Sequence, residues 1–249
     1  MPELIILGSA ASVPDAFHDN TYMVLRGEKS SILIDCGGSP VHKLQRVGIP
    51  LESLDGLVVT HYHPDHIYGV PALILSLCMY SRRELKVFGL AESLHVILTV
   101  MDAFRWKEWP FPFNLSLHKL PPRRKKFLES EDFEITASPV KHVVPNIALK
   151  FVSKKSGRSI VYSSDTEPCE SLFRLAKGAD VLIHESGGPL PGHSTSRQAG
   201  AMARRCGVKK LVLIHFPPLD GDLEGMCRAA QEEFGGPVEL ASDFSIHHF

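Results

Sequence analysis

The 249-residue sequence has no Cys-x-x-Cys pair, and its five cysteines (Cys36, Cys78, Cys169, Cys206, Cys227) are scattered. That excludes a cysteine-based zinc finger and argues against a disulfide framework. It points to a reducing compartment, the cytoplasm. No charge of one sign dominates: 27 Lys and Arg face 28 Asp and Glu. A global pull toward nucleic acid or a membrane surface is therefore absent. No apolar run approaches the roughly 20 residues of a membrane span. The longest, from Val70 to Met79, is interrupted by Pro71. Leu4-Ile5-Ile6-Leu7 is too short for a leader peptide and reads as a first strand. No repeat is visible in the letters. Hydrophobic residues make up 44% of the chain. That suffices for a sizeable core, in one domain over residues 1–249 or in two fused halves.

What is present is concentrated in Thr60-His61-Tyr62-His63-Pro64-Asp65-His66. Three imidazoles and a carboxylate fall within six residues, the nitrogen and oxygen donors that hydrolytic metal ions take. The apolar run Leu57-Val58-Val59 before them reads as a buried strand. His61 and His63 are two apart, so in extended chain both point to the same side. Asp65 and His66 are adjacent and cannot both do so. One pair can grip one ion and the other pair a second. A polar loop with chance histidines is the alternative, but composition seldom packs these residue types so densely.

Further polar residues close β-type runs. Asp165 follows Ser159–Ser164 and His215 follows Leu211–Ile214; His142 follows Ile135–Val140, a less regular run containing Pro139. A buried Asp or His at such a place wants a partner or a metal. The periodicity predicts strands at Leu4–Leu7, Tyr22–Leu25, Ser31–Ile34, Leu57–Thr60, Leu85–Phe88, Phe133–Ala137, Ala148–Val152, Ser159–Tyr162, Val181–Ile183, Leu211–Ile214 and, last, Val238–Leu240. It predicts helices at Val41–Val47, Ile67–Tyr80, Ser93–Phe104, Ser171–Ala176, Ser194–Cys206 and Leu223–Phe234. The aromatic stretch Trp106–Phe113 reads as a hydrophobic plug, or else a substrate wall or dimer contact. Arg123-Arg124-Lys125-Lys126 reads as an exposed loop.

The His-x-His-x-Asp-His pattern resembles the signature of the metallo-β-lactamase fold hydrolases. The resemblance implies an α/β (α+β) fold, a four-layer αββα sandwich with a two-metal site at one edge. It implies that His61, His63 and His142 hold one ion, that Asp65, His66 and His215 hold the other, and that Asp165 bridges them. The ions would be divalent, zinc by ligand type, though such sets also accept manganese or iron. Gly8–Pro14, Asn20, Leu33–Gly37, Tyr162–Thr166, His184-Glu185-Ser186 and Gly192-His193-Ser194-Thr195 are similar to motifs of ribonuclease Z and its phosphodiesterase relatives.

One departure bears on substrate. Bacterial ribonuclease Z carries a long arm between its third metal histidine and its bridging aspartate, and that arm grips the tRNA elbow. Here His142 and Asp165 are 23 residues apart, enough for two strands and a turn. The expectation is therefore two-metal hydrolysis of a small phosphodiester of the cyclic-nucleotide kind. The alternatives are tRNA 3′ processing, a thioester or lactone substrate on the same fold, and, disfavoured by the complete ligand set, a non-catalytic scaffold; nucleic acid is a disfavoured partner and a homodimer an open one. Asp65 and His193 are the expected catalytic side chains. Asp65 orients the nucleophile, and His193 touches the phosphate or protonates the leaving oxygen. His184, Glu185 and Asp243 are weaker candidates for supporting roles. His18, His42, His95, His118, His247 and His248 are read as structural or solvent-facing.

Overall fold

The computed structural model of the chain describes residues 1–80, 84–219 and 221–249. Two mixed seven-stranded sheets face one another. The first contains β1 (Glu3–Gly8), β2 (Tyr22–Arg26), β3 (Ser31–Ile34), β4 (Leu54–Val58), β5 (Glu84–Gly89) and β6 (Asn114–Lys119) in that order, with β14 (Ile246–His248) outside β1. The second runs β7 (Lys125–Glu129), β8 (Phe133–Val140), β9 (Asn146–Ser153), β10 (Ser159–Tyr162), β11 (Val181–Glu185), β12 (Lys210–Ile214) and β13 (Val238–Leu240).

The two sheets repeat one topology. From β14 to β3 and from β7 to β10 every pairing is antiparallel; from β3 to β6 and from β10 to β13 every pairing is parallel. The pairing pattern thus repeats between the sheets although no repeat is visible in the letters.

Alternation along the strands decides the layers. Leu4, Ile6, Met23, Leu25, Ile32 and Ile34 of the first sheet meet Phe133, Ile135, Leu149, Phe151, Ile160 and Ile183 of the second in a buried inner core. The outer face of the first sheet buries Ile5, Leu7, Leu33 and Leu57 against α1 (Pro40–Arg46), α3 (Val70–Met79) and α4 (Ala91–Ala103). The outer face of the second buries Val161, Leu182 and Leu211 against α5 (Glu170–Ala176), α6 (Ser196–Cys206) and α7 (Leu223–Phe234). This is the four-layer αββα order. Among the described residues no helix is long and apolar enough to cross a membrane.

Several expectations are corrected. The strand before the histidine cluster runs Leu54–Val58, so Val59 to His63 lie beyond it. The helix expected over Ile67–Tyr80 is two helices, α2 (Pro64–Ile67) and α3. They part at Gly69, whose N–H donates to the Cys36 carbonyl and where a Cβ would stand 2.2 Å from the Gly38 carbonyl oxygen. Lys125 and Lys126 are not loop residues but open the edge strand β7, where Lys126 pairs with Glu129 and Glu134. Charged side chains on an edge strand block further pairing. The last strand is β14, not Val238–Leu240. Trp106, Trp109 and Phe113 pack against the outer core of the first sheet, which fits the plug reading.

Candidate metal centre

The loops at the carboxyl ends of β4, β8, β10 and β12 bring the seven expected donors together, as sheet-end sites do in α/β folds. His61 leaves β4 in extended chain, so His63 returns to the same side: His61 Nε2 is 3.1 Å from His63 Nδ1. His142, two residues past β8, places Nε2 at 3.2 Å from the same His63 nitrogen. Pro64 opens α2 at His63, its missing N–H costing nothing there. The turn of α2 then brings Asp65 and His66 in beside them, with the His66 ring 4.1 Å from that of His61. His215 Nε2 lies 3.4 Å from Asp65 Oδ2.

Asp165 stands between the two groups. Its Oδ2 is 3.7 Å from His61 Nε2, 3.4 Å from His66 Nε2 and 3.3 Å from His215 Nε2. Donor atoms of His61, His63, His142 and Asp165 all lie within 4.8 Å of one another, as do those of Asp65, His66 and His215. A tetrahedral site with bonds of about 2.1 Å has edges of about 3.4 Å, and the spacings fall around that value. His66 Nε2 and Asp165 Oδ1 are buried with no hydrogen-bond partner. Each such orphan costs about 1–3 kcal/mol. Lone pairs facing one another at 3.1–3.4 Å repel unless a proton or cation lies between them. The donor set fits a pair of divalent cations, one in each group.

The supports of these donors come from residues that the sequence motifs contain but to which no role was assigned above. Asp35, closing β3, takes three bonds: from Thr60 N–H at 2.8 Å, from Thr60 Oγ1 at 2.9 Å and from His66 Nδ1 at 2.9 Å. With Nδ1 donated to a carboxylate, His66 presents Nε2 as a lone pair. Asp35 ends an apolar strand just as Asp165 does, and that shared signal could have found it. His142 Nδ1 donates to the Gly192 carbonyl at 2.7 Å. Gly192 has φ +84, and a Cβ there would stand 2.7 Å from His142 Nδ1, so the position accepts only glycine. Asp35, Ser164 and His215 all hold left-handed backbone at φ 58, 51 and 53. Each costs about 1–2 kcal/mol for a residue with a Cβ. All three sit in or next to the donor cluster, where strain of this kind concentrates.

A family profile described as a beta-lactamase superfamily domain matches residues 30–216. The chain belongs to the β-lactamase superfamily. It is a metal-dependent hydrolase of the metallo-β-lactamase fold. Ribonuclease Z of Methanothermobacter thermautotrophicus is 29% identical, over 98% of this chain and 95% of that one. That alignment runs to 300 positions, 51 more than the 249 residues here. Among solved structures, the metallo-beta-lactamase fold protein YhfI from Bacillus subtilis superposes with a TM-score of 0.81 at 24% identity, covering 99% of this chain and 98% of that one. A diphosphatase from the PhnP family superposes with a TM-score of 0.80 at 19% identity, covering 100% and 98%.

Electrostatics in this superfamily member follow from burial and the carboxylates. Burial alone would raise the Asp165 carboxyl, but His215, His66 and His61 hold it well below the ordinary range. Burial pushes His61 well below the usual imidazole value, and the neighbouring His66 adds to the effect. Both shifts favour the forms that ligate a cation.

His193 faces the cluster from the loop before α6. Its ring stacks on His215 at 5.5 Å and meets His142 edge-on at 5.0 Å. Its Nδ1 is 3.4 Å from Glu185 Oε1, within ion-pair reach but not aligned as a hydrogen bond. Glu185 is fully buried and accepts N–H bonds from Thr166, Gly187 and Ser194 at 3.1, 2.7 and 2.7 Å. Burial lowers the His193 value, yet Glu185, Asp165 and Asp65 outweigh it and raise it. Cations held on Asp165 and Asp65 would cancel part of that pull. His184 is buried and donates its Nδ1 proton to the Glu185 carbonyl at 2.8 Å. Asp243 lies behind Ser9, away from the ligand atoms. Of the remaining histidines, His247 is buried in β14 and His18 packs edge-on against Phe216.

Proposed function

We propose that the chain is a phosphodiesterase acting on a small phosphodiester of the cyclic-nucleotide kind, with His61, His63 and His142 holding one divalent cation, Asp65, His66 and His215 the other, and Asp165 between them. Zinc suits the donors by type. When bound, the cations supply a nucleophilic water at neutral pH and offset charge on the phosphate oxygens. Asp65 accepts a hydrogen bond from the attacking water and orients it. His193, backed by Glu185, delivers a proton to the leaving oxygen.

The observation that carries the reading is His193, an imidazole outside the two donor groups but within reach of Asp165 and His215, standing across the cluster with a buried carboxylate behind it. A leaving alkoxide needs a proton, whereas the thiolate expelled from a thioester can leave without one. The short interval between His142 and Asp165 supports a small substrate. It holds only β9, β10 and the turn joining them, with no projecting segment. The relatives' name favours a second reading, ribonuclease Z-like cleavage of a 3′-extended tRNA. The short interval between His142 and Asp165 weighs against it. The reading includes a cytoplasmic setting. It also includes a homodimer that covers exposed Leu75, Met79 and Phe104 on the α3–α4 face.

The test is a substrate panel on the purified chain: bis(p-nitrophenyl) phosphate, a cyclic nucleotide, a thioester, a lactone and a 3′-extended precursor tRNA. Turnover of the first two alone is the expected result. Thioester or lactone turnover without diester turnover would overturn it. Clean cleavage of the tRNA would establish the second reading.

A further inference from the structure

The two donor groups share the segment after β4 and differ in the histidine that the second sheet supplies, His142 after β8 or His215 after β12. His61 and His142 are steadied by Thr60 and the Gly192 carbonyl. His215 is steadied from the opposite sheet, by a chain of contacts that begins at a buried lysine. Lys43 on α1 is only 7% exposed. Its Nζ donates to the Leu7 carbonyl at 2.6 Å and to Asp243 Oδ2 at 2.7 Å, and lies 3.0 Å from Asp19 Oδ2. The rings of Tyr22 and Phe244 flank it at 5.5 and 5.4 Å.

Asp243 passes this anchoring on. Its Oδ1 accepts from Ser9 Oγ at 2.9 Å and its Oδ2 from the Asp19 N–H at 3.1 Å. The Ser9 carbonyl, at the exit of β1, accepts the His215 N–H at 2.8 Å. Two residues past Ser9, the Ala11 N–H donates to the Phe216 carbonyl at 2.9 Å. His215 needs such holding because its backbone is left-handed at φ 53. A buried ion pair adds little net stability against an apolar replacement. Its value here lies in where it fixes the Ser9 carbonyl.

We infer that Lys43, Asp243 and Ser9 are positioning residues that set the His215 ring and, through it, the affinity of the Asp65–His66–His215 group for its cation. The inference rests on the two-cation reading above. Supports of ligand histidines commonly govern affinity by about 10–100-fold, and this one reaches a single group.

Equilibrium dialysis of the full chain against Zn²⁺ buffered by a chelator reads the two binding steps separately. His215→Ala identifies the step that belongs to its group. Ser9→Ala and Asp243→Asn are expected to weaken that same step about 10–100-fold and to leave the other within about threefold. Lys43→Met is expected to do likewise. Should it fail to fold, Ser9→Ala decides, since it removes one hydroxyl and keeps the backbone. A folded Ser9→Ala chain with both steps unaltered, or both weakened alike, would overturn the clamp. A wild-type chain that binds fewer than two Zn²⁺ overturns the reading beneath it instead.

Discussion

His66 donates its Nδ1 proton to Asp35 Oδ2 across 2.9 Å, and both side chains are fully buried. The bond fixes which nitrogen of His66 faces Asp165. Asp35→Asn turns one acceptor oxygen into a donor, set against either the Thr60 N–H or the Thr60 hydroxyl and His66 Nδ1 together. Stability should fall by about 1–3 kcal/mol, read as a lower denaturant midpoint, and the His66 group should lose about 10–100-fold in cation affinity. Wild-type behaviour in both measurements would remove Asp35 from the supporting shell.

Asp165 touches both groups through one oxygen. Asp165→Ala should lower diester turnover by more than about a thousandfold and reduce bound cation as well. Steady-state kinetics with metal analysis of the same preparation checks it. A near-normal rate would mean that Asp165 does not bridge.

His193→Ala should lower turnover by about 10²–10⁴, the range for one acid–base group, with cation content unchanged. His193 also lies within ligand distance of Asp165 and His215. Loss of cation in the variant would therefore make it a ligand and not an acid.

Asp180 predicts a pH dependence of stability away from the site. Burial tends to raise its carboxyl, but Lys209 at 2.7 Å and the Ser159 N–H at 2.8 Å overcome that and hold it below its ordinary value. A depressed carboxylate stabilises the fold above the ordinary range near pH 4 and stops doing so as pH falls through its folded value. Asp180→Asn should be less stable than wild type at neutral pH, with the gap closing on acidification. Denaturant midpoints over a pH series test this; a gap of constant size would contradict it.

The cluster from His61 to His66 was legible because its donors are contiguous, so spacing alone encodes their directions. His142, Asp165 and His215 were legible as polar residues ending apolar strands. Asp35 ends one too, but its role arises from contact with Thr60 and His66, 25 and 31 residues on, which no local pattern records. Lys43 looks like any helix lysine until the fold buries it. The edge strands β6 and β7 escaped because a half-exposed edge carries polar residues, and β14 because two of its three residues are histidines. The break at Gly69 depends on the nearness of Gly38, a tertiary contact. The repeat of topology between the halves survives without repeat of letters, since pairing direction constrains pattern and not identity.

Anomalous diffraction from crystals of the chain grown with Zn²⁺, recorded at the zinc edge, locates the cations directly. Two peaks are expected, one amid His61, His63 and His142 and one amid Asp65, His66 and His215, with Asp165 in reach of both. A single peak, peaks at other places, or none would contradict a two-cation hydrolase.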